Sequence, residues 1–120
     1  MYKVTHDKMR NVITVKIWED FNVKEAEALH AQLEQILPRC KKSFKLLTDL
    51  SLLENMDQVA HRTIEKSMEL FNRYGISKVI RVIPDPAKDI GFNIMSLFHY
   101  SRDVKIHTCQ SIEEAQKYLV

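Results

Sequence analysis

Glycine occurs only twice and proline three times in the 120 residues. That scarcity argues against disorder and against a chain built of tight turns. Gly75 and Gly91 are the only glycines, so no glycine-rich phosphate loop or dinucleotide fingerprint can be assembled. Cysteine is equally sparse. Cys40 and Cys109 lie far apart, with no CxxC pair and no histidine at metal-ligand spacing, which leaves two free thiols in a reducing compartment and no disulfide framework, zinc site or cofactor. Long apolar runs are missing too. No 18-residue apolar segment exists, and the opening MYKVTHDKMRN lacks the apolar core of a signal peptide, so no transmembrane segment and a cytoplasmic location are expected. Nor is there a strong excess of one charge. Eighteen basic and 16 acidic side chains give +2, with Lys41, Lys42 and Lys45 as the one local basic cluster, too little for a nucleic-acid footprint.

What is present is an ordinary globular composition, 45% hydrophobic and 28% charged, in a length that suits one domain over residues 1–120. Tyr2 to His6 and Val12 to Trp18 read as strands around the turn DKMRN, the second with Ile13, Val15 and Ile17 on one face. Asn22 with Glu25 forms a capping-box pattern ahead of a helix from Val23 to Leu37, which Pro38 stops. FKLLTDL and SKVIRVIP are strands with apolar residues on both faces, the mark of central strands covered on both sides. Between them runs a helix from Asp57 to Tyr74, closed by Gly75. A third helix is expected over Asp89 to Ser101, with Asp85 before Pro86 as an alternative start. Val104 to Thr108 is a short strand, and Ser111 with Glu114 caps a last helix. Alternation of this kind predicts an α/β domain: a four- to five-stranded, mostly parallel sheet with an antiparallel N-terminal edge and helices on its faces.

Open sheets of this class place ligands beyond the carboxyl ends of their strands. The segments to inspect are therefore Asp49 to Asp57, Pro84 to Phe92 and the region of Cys109. Asp49 and Asp57 read either as a polar site or as turn and cap residues, the cap reading following from the preference of Asp for helix N-termini. Catalytic sets are absent: no G-x-S-x-G elbow, no Cys with a His that the sequence pairs to it, and no acidic pair of the receiver-domain kind. None of the five histidines, His6, His30, His61, His99 and His107, has another histidine or a cysteine at i, i+4, so no metal site is expected. In the third helix, placing Ile90, Ile94, Leu97 and Phe98 against the sheet would turn Phe92, Met95 and His99 outward. An outward Phe and Met would suit a partner surface, a dimer contact or the lid of an apolar pocket.

The stretches KLLTDLSLLENMD, GISKVIRVIPD and SIEEAQKYL, in this order of elements, resemble the STAS superfamily, and within it the SpoIIAA-like group of small stand-alone bacterial proteins. The resemblance covers nearly the whole chain and implies the STAS-like fold and a regulatory, protein-binding role. In phosphorylated anti-sigma factor antagonists of that superfamily the second helix opens on Asp-Ser-Ser-Gly or Asp-Ser-Thr-Gly. Here the corresponding residues are Asp57, Gln58, Val59 and Ala60: the aspartate is kept, and both hydroxyls and the glycine are gone.

Three functional expectations follow. The first is a non-catalytic interaction module whose face comprises Asp49, Ser51, Asp57, Gln58 and Val59, with a protein partner. The second is a carrier of a small apolar ligand or lipid, since STAS-like domains resemble CRAL-TRIO lipid-binding domains in fold; Phe92, Met95, Phe98 and His99 would border its pocket or form a partner surface. An enzyme is not expected. Homodimerisation is compatible with either reading, through the edge of the first strand or the outer face of the third helix.

Overall fold

The computed structural model describes residues 1–119. Strands β1 (Tyr2–Asp7) and β2 (Val12–Phe21) form a hairpin with Tyr2 opposite Ile17 and Asp7 opposite Val12. Its turn is built by Asp7, whose Oδ1 accepts the backbone N–H groups of Met9 and Arg10 at 3.1 Å each. Helix α1 (Val23–Ile36) follows with the Asn22–Glu25 capping box formed in both directions. Then come β3 (Lys45–Met56), α2 (Gln58–Arg73), β4 (Lys78–Val82), α3 (Pro86–His99), β5 (Lys105–Cys109) and α4 (Ile112–Gln116). The five strands lie in the order β1-β2-β3-β4-β5, antiparallel at the first pairing and parallel at the other three.

That order has a consequence for the layers. Each crossover carries the chain one strand further in the same direction, and right-handed crossovers in one direction put their helices on one face. Accordingly Ile13, Val15, Ile17, Leu46, Leu50 and Val79 pack with Ala26, Leu29, Leu33, Met68 and Phe71 in one core, joined from α3 by Met95. The opposite face carries a smaller core, Val12, Leu47, Ile80, Val82 and Cys109 beneath Ala115 and Leu119. Two covered faces account for the unbroken apolar runs of β3 and β4.

Two boundaries differ from those read in the sequence. β3 does not end at Asp49 but continues to Met56 beside β2, with register shifts between Lys16 and Trp18 and between Glu19 and Asp20. Only β2 accompanies it there, because β4 ends opposite Asp49 at Val82. The segment taken as a loop is thus a protruding two-stranded ribbon. Helix α3 uses the earlier start: Asp85 caps it, its carboxylate accepting the Ala87 N–H at 3.0 Å, and Pro86 occupies the first turn, where its missing N–H costs nothing.

Candidate functional site: the third helix and the strand-end cleft

Arg81 is the one charged residue within the apolar run of β4, and its side chain points to the helix-covered face, only 2% exposed. A buried guanidinium must be paired and hydrogen-bonded. Its Nε donates to Asp89 Oδ1 at 3.0 Å, one terminal nitrogen to Ser96 Oγ at 2.9 Å and the other to Asn93 Oδ1 at 2.6 Å. Asp89 Oδ2 accepts from Asn93 Nδ2 at 2.8 Å and from Thr108 Oγ1 of β5 at 2.6 Å. Asp89, Asn93 and Ser96 stand at i, i+4 and i+7, one stripe of α3. The polar stripe therefore faces the sheet.

This reverses the orientation expected from hydrophobicity. Ile90, Ile94, Leu97 and Phe98 face outward at 60, 52, 80 and 80% exposure, whereas Met95 is buried and Phe92 packs partly buried against the main core. The physical reason is the demand of Arg81: satisfying a buried cation fixes the helix rotation, and the apolar residues one position on are carried outward. Met95 is thus not available as a partner surface. His99 is largely covered at the flank of α3, its Nε2 2.9 Å from Glu65 and its Nδ1 2.9 Å from Glu69 of α2. Both ring nitrogens thus meet carboxylates of the neighbouring helix, which ties the end of α3 to α2.

Beneath α1, α2 and α3 lies a cavity of about 60 Å³ whose walls include Val15, Leu29, Leu46, Met68, Phe71 and Phe92, with Arg81 and Tyr100 also on its boundary. Burial pushes the Tyr100 phenol far above its ordinary value, so it stays neutral. A surface cleft of about 200 Å³ lies between the end of β3, the start of α2 and the first turns of α3, lined by Leu53, Glu54, Met56, His61, Lys88 and Phe92. Met56 and Phe92 belong to both linings, so cleft and cavity adjoin at these two side chains.

The residues of the other expected face are not brought together. Asp49 is buried in mid-strand, and its Oδ1 accepts the Ser51 N–H at 3.0 Å and the Ser51 hydroxyl at 2.6 Å, closing the irregularity in β3. Asp57 stands at the far end of the ribbon, roughly 25 Å further along the strand. There its Oδ1 accepts the Val59 N–H at 3.1 Å as the cap of α2, with Gln58 and Val59 exposed beside it. A cysteine–histidine contact invisible in the sequence does form: Cys40 Sγ lies 3.5 Å from His6 Nε2. Burial raises the Cys40 thiol above its ordinary value, the opposite of an activated thiolate. Among the described residues no three His, Cys, Asp or Glu side chains gather in a way that could hold a metal ion. Likewise no helix there is long and apolar enough to cross a membrane.

The singly wound sheet with its antiparallel edge strand and three helices on one face defines a SpoIIAA-like α/β fold. No protein-family model and no curated protein sequence matches the chain. Solved structures do. An uncharacterized DUF3478-family protein with a SpoIIAA-like fold from Shewanella loihica PV-4 superimposes with a TM-score of 0.76 at 12% identity, over 100% of this chain and 93% of its own. The phosphorylated form of the Bacillus cell fate determinant SpoIIAA gives 0.69 at 14% identity, covering 100% of both chains. An anti-sigma factor antagonist from Mycobacterium paratuberculosis gives 0.62 at 15%, over 99% of this chain and 92% of its own. At such identities the likeness is one of fold.

Proposed function

We propose that the protein is a non-catalytic interaction module that works through surfaces presented by α2 and α3. The observation that carries this reading is the outward apolar stripe of α3, Ile90, Ile94, Leu97 and Phe98, held in place by the buried Arg81–Asp89 pair behind it. Contiguous exposed apolar surface on a folded chain marks a contact site. The tip of α2, with Asp57, Gln58 and Val59, forms a second exposed element. With glutamine and valine at positions 58 and 59 it has no hydroxyl to phosphorylate there, so binding at this tip proceeds without that charge switch. Asp49 and Ser51 support the strand and leave the working face.

Affinity capture from cell extract tests the reading, with wild type compared against Leu97→Glu and against Asp57→Arg. The expected result is loss of bound protein with Leu97→Glu; identical bound sets for all three would remove both surfaces from consideration.

A second reading, an apolar-ligand or lipid carrier, is favoured by the cavity and by the cleft that shares Met56 and Phe92 with it. At about 60 Å³ the cavity is small beside the roughly 300–1,000 Å³ of ordinary ligand pockets, so a carrier role would call for a widening of its walls. Native mass spectrometry of freshly purified protein should then show bound mass, and a bare chain with no thermal shift on adding fatty acids would exclude it.

A further inference from the structure

We infer that the outer face of α3 is a self-association surface, and that its occupant is α3 of a second copy of this chain, packed antiparallel about a two-fold axis at Ile94. The inference deepens the interaction reading above and rests on it.

The arrangement of the stripe is self-complementary. Its exposed positions are Ala87, Ile90, Gly91, Ile94, Leu97 and Phe98. An isologous contact requires residue i to meet residue j while j meets i. An axis at Ile94 sets Ile94 on its own copy, Ile90 on Phe98 of the second copy, and Gly91 opposite Leu97 of the second copy. No large apolar residue of the stripe is left facing a charged one.

Gly91 points to a helix as the occupant. A glycine inside a helix is less stable than alanine there, and a Cβ at Gly91 would meet nothing within 4 Å. The chain's own packing therefore gives no reason for the missing side chain. Close approach by a second helix does, with Leu97 of the second copy filling the gap at an interaxial distance of about 8–10 Å.

The charges agree. The N-terminal end of α3 exposes Asp85 and Lys88, and the segment after its C-terminus exposes Arg102 and Asp103. Each end carries one charge of either sign, so antiparallel packing sets no net repulsion at either rim. An anionic membrane fits less well: Glu65 and Glu69 border α3 at His99, and no cluster of lysines and arginines flanks the stripe. The four large side chains together with the small residues between them amount to an area on the order of 1,000 Å² over two copies, where specific interfaces begin.

Sedimentation velocity from about 1 to about 100 µM tests this, a range that spans micromolar association. Wild type should shift from monomer to dimer. Ile94→Glu and Leu97→Glu, both at exposed positions, should weaken association at least about tenfold while circular dichroism and cooperative melting are retained. Gly91→Leu should loosen the dimer likewise, and Ile94→Cys should give a disulfide-linked dimer on mild oxidation that wild type does not. A wild type that stays monomeric throughout, or a dimer indifferent to these changes, overturns the proposal. If the monomer instead floats with phosphatidylglycerol vesicles, or captures another protein, in a Leu97-dependent way, the second copy is the wrong occupant and the interaction reading stands. If Leu97→Glu alters none of these readouts, both fall.

Discussion

Arg81 of β4 binds Asp89, Asn93 and Ser96 on a single stripe of α3 and so sets the rotation of that helix. With its partners Asp89, Asn93 and Ser96 satisfied, the ion pair is 3 and 5% exposed at its two ends. Removing one partner leaves an uncompensated buried charge, so Asp89→Ala should cost about 3–5 kcal/mol, whereas Arg81→Met combined with Asp89→Leu should recover most of it. Urea unfolding of wild type and the two variants checks both expectations; a loss below about 1 kcal/mol for the single change would contradict the pairing. His107 acts on the other face, stacked on Tyr118 at a ring separation of 4.1 Å. Burial, then Lys78 and Lys105, hold its pKa below the usual imidazole value. The folded protein thus binds that proton less readily than the unfolded chain. Its contribution to stability is full above about pH 6.5 and is lost as the pH falls through the lowered pKa. Melting temperatures of wild type and His107→Gln measured across that window should diverge in slope, the wild type falling more steeply toward acid. Arg81 could have been read in VIRVI, since a cation in a strand buried on both faces demands a partner. The spacing of Asp89, Asn93 and Ser96 then supplies it, but hydrophobic periodicity alone ranks the wrong face of α3 as buried.

Among the helices, α3 is held differently from its neighbours. α1 and α2 bury apolar stripes, Ala26, Leu29 and Leu33 in one and Ala60, Met68 and Phe71 in the other. α3 is fastened by a polar network to β4 and β5, and by His99 to Glu65 and Glu69. Elements with few buried apolar contacts open locally at lower free energy. His99→Ala should therefore speed amide hydrogen exchange in α3 and leave β3 and β4 protected. Uniform acceleration across the chain would mean that the bridge supports the whole fold instead. The β2–β3 ribbon gives a second contrast along a single strand. Leu50 is buried against the helices and Leu52 is 59% exposed on the other face. Leu50→Ala should cost about 2–5 kcal/mol and Leu52→Ala no more than about 0.5 kcal/mol in chemical denaturation. Equal losses would place the register of the ribbon in error.

At the scale of the molecule, the helices crowd one face of the sheet, and the cleft between β3, α2 and α3 sits at the strand ends, where α/β sheets place ligands. The order of elements, the antiparallel edge, the two-sided burial of β3 and β4 and the caps at Asn22, Asp57 and Ser111 were already contained in the sequence, with Asp85 present there as the alternative start of α3. Each rests on local chemistry: periodicity of apolar residues, a side-chain oxygen before a first turn, a glycine after a last one. The extension of β3 past Asp49 was not, because it depends on β2 continuing beside it through two register shifts. The distance between Asp49 and Asp57, and with it the loss of their shared site, follows from that extension. Nor was the rotation of α3, since which stripe of a helix turns inward depends on what waits for it on the sheet. There a buried guanidinium requires oxygens, and the stripe of α3 that carries them turns inward although four apolar side chains are left in water.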